Sequence, residues 1–95
     1  MLRYTIHFQP SVKENIRSLS PEIKRLVQSA LDEIVKNPRS GTLLGGELSG
    51  FWKYRAKRYR IIYEIRQDKR EILVWIIDMR QIVYQKLEIL IPSSR

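Results

Sequence analysis

Cysteine is absent from the 95 residues, and there is a single histidine, His7. Disulfides and thiolate metal sites are excluded, and one imidazole with dispersed acids makes no ligand cluster, so neither a metal nor another cofactor is expected. A cysteine-free chain suits the cytoplasm. No apolar run approaches the ~20 residues that a membrane-crossing helix needs, and the opening MLRYTIHFQP is too polar for a signal peptide. Acids are also scarce, 10 against 18 basic residues, for a net charge of +8. With only four glycines and four prolines and 43% hydrophobic residues, the chain reads as one compact domain over residues 1–95. The charge excess calls for a polyanionic partner, nucleic acid or ribonucleoprotein first, with acidic protein or a membrane surface as weaker readings.

What is present is concentrated in residues 51–60, FWKYRAKRYR, which hold five of the basic residues, Lys53, Arg55, Lys57, Arg58 and Arg60, and no acid. Without them the balance is 13 basic to 10 acidic. Alternation places Lys53 and Arg55 on one strand face and Trp52 and Tyr54 on the other. A two-residue turn at Lys57 and Arg58 leads into YRIIYEI and sets Arg55 directly opposite Arg60. Like charges facing each other across strands are destabilising. Either an anion visits that face, or it is a solvated edge that discourages aggregation.

Residues 2–8 alternate, with Leu2, Tyr4, Ile6 and Phe8 on one side, and predict a first strand stopped by Pro10. Val12, Ile16 and Leu19 predict a short amphipathic helix over residues 11–19. Ser20-Pro21 is a helix start, since serine caps free backbone N–H groups and proline at the first helical position sacrifices no hydrogen bond. Ile23, Leu26, Val27, Ala30, Leu31, Ile34 and Val35 then keep a helical period up to Asn37-Pro38. All four glycines fall in the following loop, which lacks the spacing of a phosphate-binding loop and reads as a connection with local turns. Strands are expected over residues 59–66 and 71–77, with Arg66 opposite Glu71 as a favourable pair. The run ILVWII does not alternate, which predicts a central strand buried on both faces. Val83, Leu87 and Leu90 allow a last helix. The predicted class is α+β, in the order βααβββ with a possible C-terminal helix: a mainly antiparallel sheet with two helices packed on one face and the other left for function.

The chain resembles the RelE/ParE toxin superfamily, specifically its RelE-like branch. The resemblance rests on that element order, on LLGGELSGFWKYR from Leu43 to Arg55, on YRIIYEI from Tyr59, and on the RxxxY of Arg80 and Tyr84. It implies a toxin of a type II toxin-antitoxin system that cleaves messenger RNA in the A site of the 70S ribosome, so inhibiting translation. It also implies a cognate antitoxin, acidic and partly disordered, that masks the basic face. By position, Lys53, Arg55, Arg60, Arg80 and Tyr84 match the catalytic groups, with Lys57 and Arg58 beside them as RNA- or ribosome-binding residues. Two positions depart from the pattern. Met79 stands where many relatives carry a histidine, and around Thr42 some relatives place a glutamate. The alternatives are a ParE-like inhibitor of DNA gyrase with the same fold and a catalytically inactive member.

Metal-independent RNA cleavage needs a base for the 2′-hydroxyl, cations for the charged transition state and an acid for the departing 5′-oxygen. Arg55, Arg60 and Arg80 suit the second role, because guanidinium groups bind phosphate oxygens through paired donors. Lys53, with its pKa lowered by neighbouring cations, is a candidate base, and Tyr84 or an arginine a candidate acid. Tyr84 equally suits stacking on a base or packing in the core. His7 reads as a surface residue, Glu64 as an ion-pair partner, and Trp52, Tyr63 and Trp75 as core aromatics.

Overall fold

The computed structural model describes residues 3–90. In chain order it contains β1 (Thr5–Phe8), α1 (Pro10–Ser18), α2 (Pro21–Lys36), β2 (Thr42–Leu43), β3 (Phe51–Ala56), β4 (Tyr59–Arg66), β5 (Glu71–Met79) and α3 (Arg80–Leu90). The sheet runs β1-β5-β4-β3-β2, antiparallel except for the parallel pair of β1 with β5. The α+β class and the mainly antiparallel sheet are as the sequence predicts. The two-residue β2 adds a strand to the expected order, hidden in the glycine-rich loop because so short a segment shows no period. Leu2, expected in β1, lies outside the described residues.

Local chemistry sets the helices. Pro10 both ends β1 and opens α1, where its missing N–H costs nothing. Ser20 caps α2 by accepting from the Ile23 N–H at 3.4 Å. Val27, Ala30, Leu31 and Ile34 of α2 bury against Ile61, Tyr63, Ile72, Val74 and Ile77, and this is the main core. A second cluster lies on the opposite face of the sheet, where Val83 and Leu87 of α3 pack on Ile62 and Ile76. At about 1.5–3 kcal/mol for each fully buried side chain, this cluster fastens α3 to the sheet. The face expected to be open is therefore half covered, and only the part beyond the start of α3 is left for function.

The missing alternation in β5 has a geometric cause besides burial on both faces. The register with β4 shifts between Ile62 and Tyr63, which pair with Ile76 and Val74 and leave Trp75 unpaired. This bulge turns Trp75 toward the α3 cluster, where its Nε1 donates to Glu64 Oε1 at 2.7 Å. At the far end of the hairpin the predicted register holds, with Arg66 opposite Glu71. The ion pair does not form there: Arg66 lies 3.7 Å from Glu64, and Glu71 meets His7 on β1 at 3.3 Å.

Candidate active site

Four elements converge at the uncovered part of the sheet. Lys53 and Arg55 project from β3, and Lys53 pairs across to Thr42 on β2, so these three side chains share the face on which α3 packs. Arg60 enters from β4 directly opposite Arg55, the predicted like-charge pair. Arg80 and Tyr84, one turn apart, come from the start of α3. Together Lys53, Arg55, Arg60 and Arg80 line a cleft of about 560 Å³ whose other wall is Ser40, Gly41 and Thr42.

Inside this cluster the Lys53 Nζ donates to the Tyr84 hydroxyl at 2.9 Å and lies 5.6 Å from the centre of its ring. The hydrogen bond from Lys53 lowers the Tyr84 pKa below its usual 10.0. Burial opposes this, and the charges of Lys53, Arg80 and Arg60 lower it further. A phenol held this way gives up its proton more readily than an ordinary tyrosine, while remaining 38% exposed to an incoming substrate.

Arg60 differs from its neighbours. It is only 9% exposed, and its Nη1 donates to the carbonyls of Lys57 at 2.7 Å and Tyr59 at 3.1 Å. One edge of the guanidinium therefore holds the β3–β4 turn. The carboxylate opposite it on β5, Asp78, is taken by Lys86 at 2.6 Å, so no acid neutralises the arginines from within the sheet.

The family model for the ParE toxin of the type II toxin-antitoxin system, parDE, matches residues 6–84, which take in all of the sheet but Thr5 and the whole cluster. This chain belongs to that toxin family. It is 27% identical over 85 residues to Toxin RelG of Mycobacterium tuberculosis, covering 87% of this chain and 98% of that protein. The toxin-antitoxin complex RelBE2 from Mycobacterium tuberculosis has a chain that superposes with a TM-score of 0.74 at 27% identity, covering 83% of this chain and all of that one. The isolated RelE toxin of E. coli superposes at 0.70 and 21% identity over 94% of this chain and 99% of that one, a likeness of fold. Membership in the RelE/ParE superfamily, first suggested by the motifs, is thereby established.

For a toxin of this family the five residues singled out as catalytic do come together, and Lys57 and Arg58 sit at the hairpin tip, lining an adjoining cleft with Arg55, Arg60 and Arg80. Met79 lies at the end of β5 in that adjoining cleft, and Thr42 in the wall of the first. The buried Tyr63, a core aromatic as expected, also supports the site, which its neighbours in sequence do not signal. Its hydroxyl donates to the Pro38 carbonyl at 2.6 Å and ties the segment before β2 to the sheet, and burial pushes its pKa up to about 12. Gly41 is shaped by the same contact. A Cβ there would stand 2.6 Å from the Lys53 carbonyl oxygen and 2.7 Å from the Tyr63 hydroxyl, so only glycine lets this wall close on β3. The available signal was Gly41 itself, one of four glycines in that loop and not distinguished from the others by sequence.

Proposed function

We propose that this toxin is a metal-independent endoribonuclease that cuts messenger RNA in the ribosomal A site, and that it is held inactive by an acidic antitoxin segment. The observation that carries the reading is the Lys53–Tyr84 hydrogen bond set among Arg55, Arg60 and Arg80. It combines a phenol of lowered pKa with a cluster of cations able to bind phosphate oxygens. A site built only to grip a protein partner has no need of the first.

The geometry favours Tyr84 rather than Lys53 as the base. Lys53 donates to the phenol and so stabilises the phenolate, which takes the proton of the 2′-hydroxyl. The 2′-oxygen then forms its bond to phosphorus as the bond to the 5′-oxygen breaks, leaving a 2′,3′-cyclic phosphate and, once protonated, a 5′-hydroxyl. Arg80 and Arg55 offer paired donors to the phosphate oxygens as negative charge builds on them. With no carboxylate or imidazole at Thr42 or Met79, the site relies on its substrate being held in line for attack. Alignment on a scaffold such as the ribosome is worth several kcal/mol.

An antitoxin partner accords with the family's description and with the RelBE2 relative, itself a toxin-antitoxin complex. The exposed cations beside Met79 offer charge and apolar area together, suited to a disordered acidic segment that folds on binding. Toeprinting on programmed ribosomes tests the nuclease reading: codon-specific cuts are expected with ribosomes and little cleavage of free RNA. Uncut message on stalled ribosomes, with DNA gyrase poisoned instead, would replace this reading with the gyrase-inhibitor one.

A further inference from the structure

We propose that the cleft between α2 and the β3–β4 turn, walled by Arg25, Lys57 and Arg58, holds a backbone phosphate of the same RNA strand that the candidate site cuts. The proposal deepens the nuclease reading and rests on it. Arg25 lies on the exposed side of α2, in the helix layer, and the residue pattern gives it no role in the cluster on the other face of the sheet. Yet the cationic surface is unbroken between the two. Arg55, Arg60 and Arg80 line both the first cleft and the one beside it; Lys57 and Arg58 line that second cleft and a third, where they meet Arg25, Ser29 and Tyr59.

Three features fit this third cleft to an anion. None of the ion pairs among the described residues engages Arg25, Lys57 or Arg58. Its three cations outnumber the one acid lining it, Glu22, whose charge is already engaged by the dipole at the first turn of α2. The hairpin tip is also held in advance. Lys57 has a left-handed φ of 57°, a conformation lysine rarely adopts. The Arg60 guanidinium fixes its carbonyl, and the Arg80 N–H donates to the Arg58 carbonyl at 3.2 Å. The residues that grip the tip are thus those of the candidate site.

A ligand that uses all three clefts must carry repeated negative charges along a flexible backbone that bends around the end of the sheet. A single-stranded polynucleotide does so, and a mononucleotide or an isolated carboxylate does not. Because neighbouring clefts share their walls, the strand entering the third is the one leaving the first.

The test uses fluorescence anisotropy with fully 2′-O-methylated oligonucleotides, which lack the attacking hydroxyl and cannot be cut. A trinucleotide is compared with a strand of about ten nucleotides, a length within the range of single-strand binding sites. Arg25→Gln should weaken the longer strand several-fold, flatten its log K against log salt by about 0.7, and leave the trinucleotide unaffected. Arg25→Lys should restore most of the loss, and both variants should melt with the wild type because the side chain is exposed. Unchanged affinity of Arg25→Gln for the longer strand overturns the proposal. If that variant instead loses only co-sedimentation with ribosomal subunits, the cleft serves ribosomal RNA and the proposal is equally overturned. Failure of the wild type to cut message on ribosomes would sink the nuclease reading while leaving these binding constants intact.

Discussion

The Lys53 ammonium and the Tyr84 hydroxyl, separated by 31 positions in the chain, meet at 2.9 Å across the junction of β3 and α3. Neither side chain takes part in a core cluster, so the contact serves the site rather than the fold. If Tyr84 is the base, Tyr84→Phe should retain the wild-type melting temperature and lose about 10²–10⁴-fold in single-turnover cleavage on ribosomes. A loss below tenfold would remove Tyr84 from the chemistry.

The pH profile follows from the same bond. A base must be deprotonated, so the rate should rise with pH with its inflection below the ordinary tyrosine value of 10.0, since Lys53, Arg80 and Arg60 hold the phenol's pKa down. Lys53→Met removes the largest of these influences and should move the inflection to higher pH. A rate that falls with rising pH over the same range would make Tyr84 the acid instead.

Arg80 and Arg60 should respond differently to truncation. Arg80 is exposed, and Arg80→Ala should lower cleavage by about 10²–10³ with no change in melting. Arg60 is buried against the turn carbonyls, so Arg60→Ala should lower both cleavage and thermal stability, the latter by about 1–3 kcal/mol from the orphaned carbonyls. Equal melting temperatures for the two variants would contradict the structural role of Arg60.

Alkaline titration should report Tyr63. Its folded pKa of about 12 exceeds the unfolded value of 10.0, so burial of the neutral phenol contributes stability that is fully present below pH 10 and is lost as pH rises toward 12. Wild type should lose stability more steeply than Tyr63→Phe across that window, measured by urea unfolding. Parallel curves would place the alkaline transition elsewhere.

Much of this arrangement was legible because local rules and global packing agree. Period-2 spacing put Lys53 and Arg55 on one face and Trp52 and Tyr54 on the other, and hairpin arithmetic put Arg55 opposite Arg60, as the structure has them. Ser20-Pro21 and the apolar spacing of α2 marked that helix to its first residue. Long-range partners left no such trace. Nothing in the residues around Trp75 announces a bulge, since its cause is the fit of β5 to β4. The side on which α3 packs depends on Ile62 and Ile76, which alternation alone could not separate from the main core. The ionic partners of Arg66 and Glu71 were missed for a similar reason: His7 and Glu64 compete for them in space, not in sequence.

The parallel pairing of β1 with β5 bears on when the toxin first becomes dangerous. Thr5 is made well before Glu71 and waits for it before it has a strand to lie against, while Lys53 waits for Tyr84. Such distant pairings make folding slow, because chain entropy must be lost before any contact rewards it. The Lys53–Tyr84 contact therefore forms only after the chain has been made through Tyr84. An antitoxin segment already present at that moment would meet the basic face as it forms.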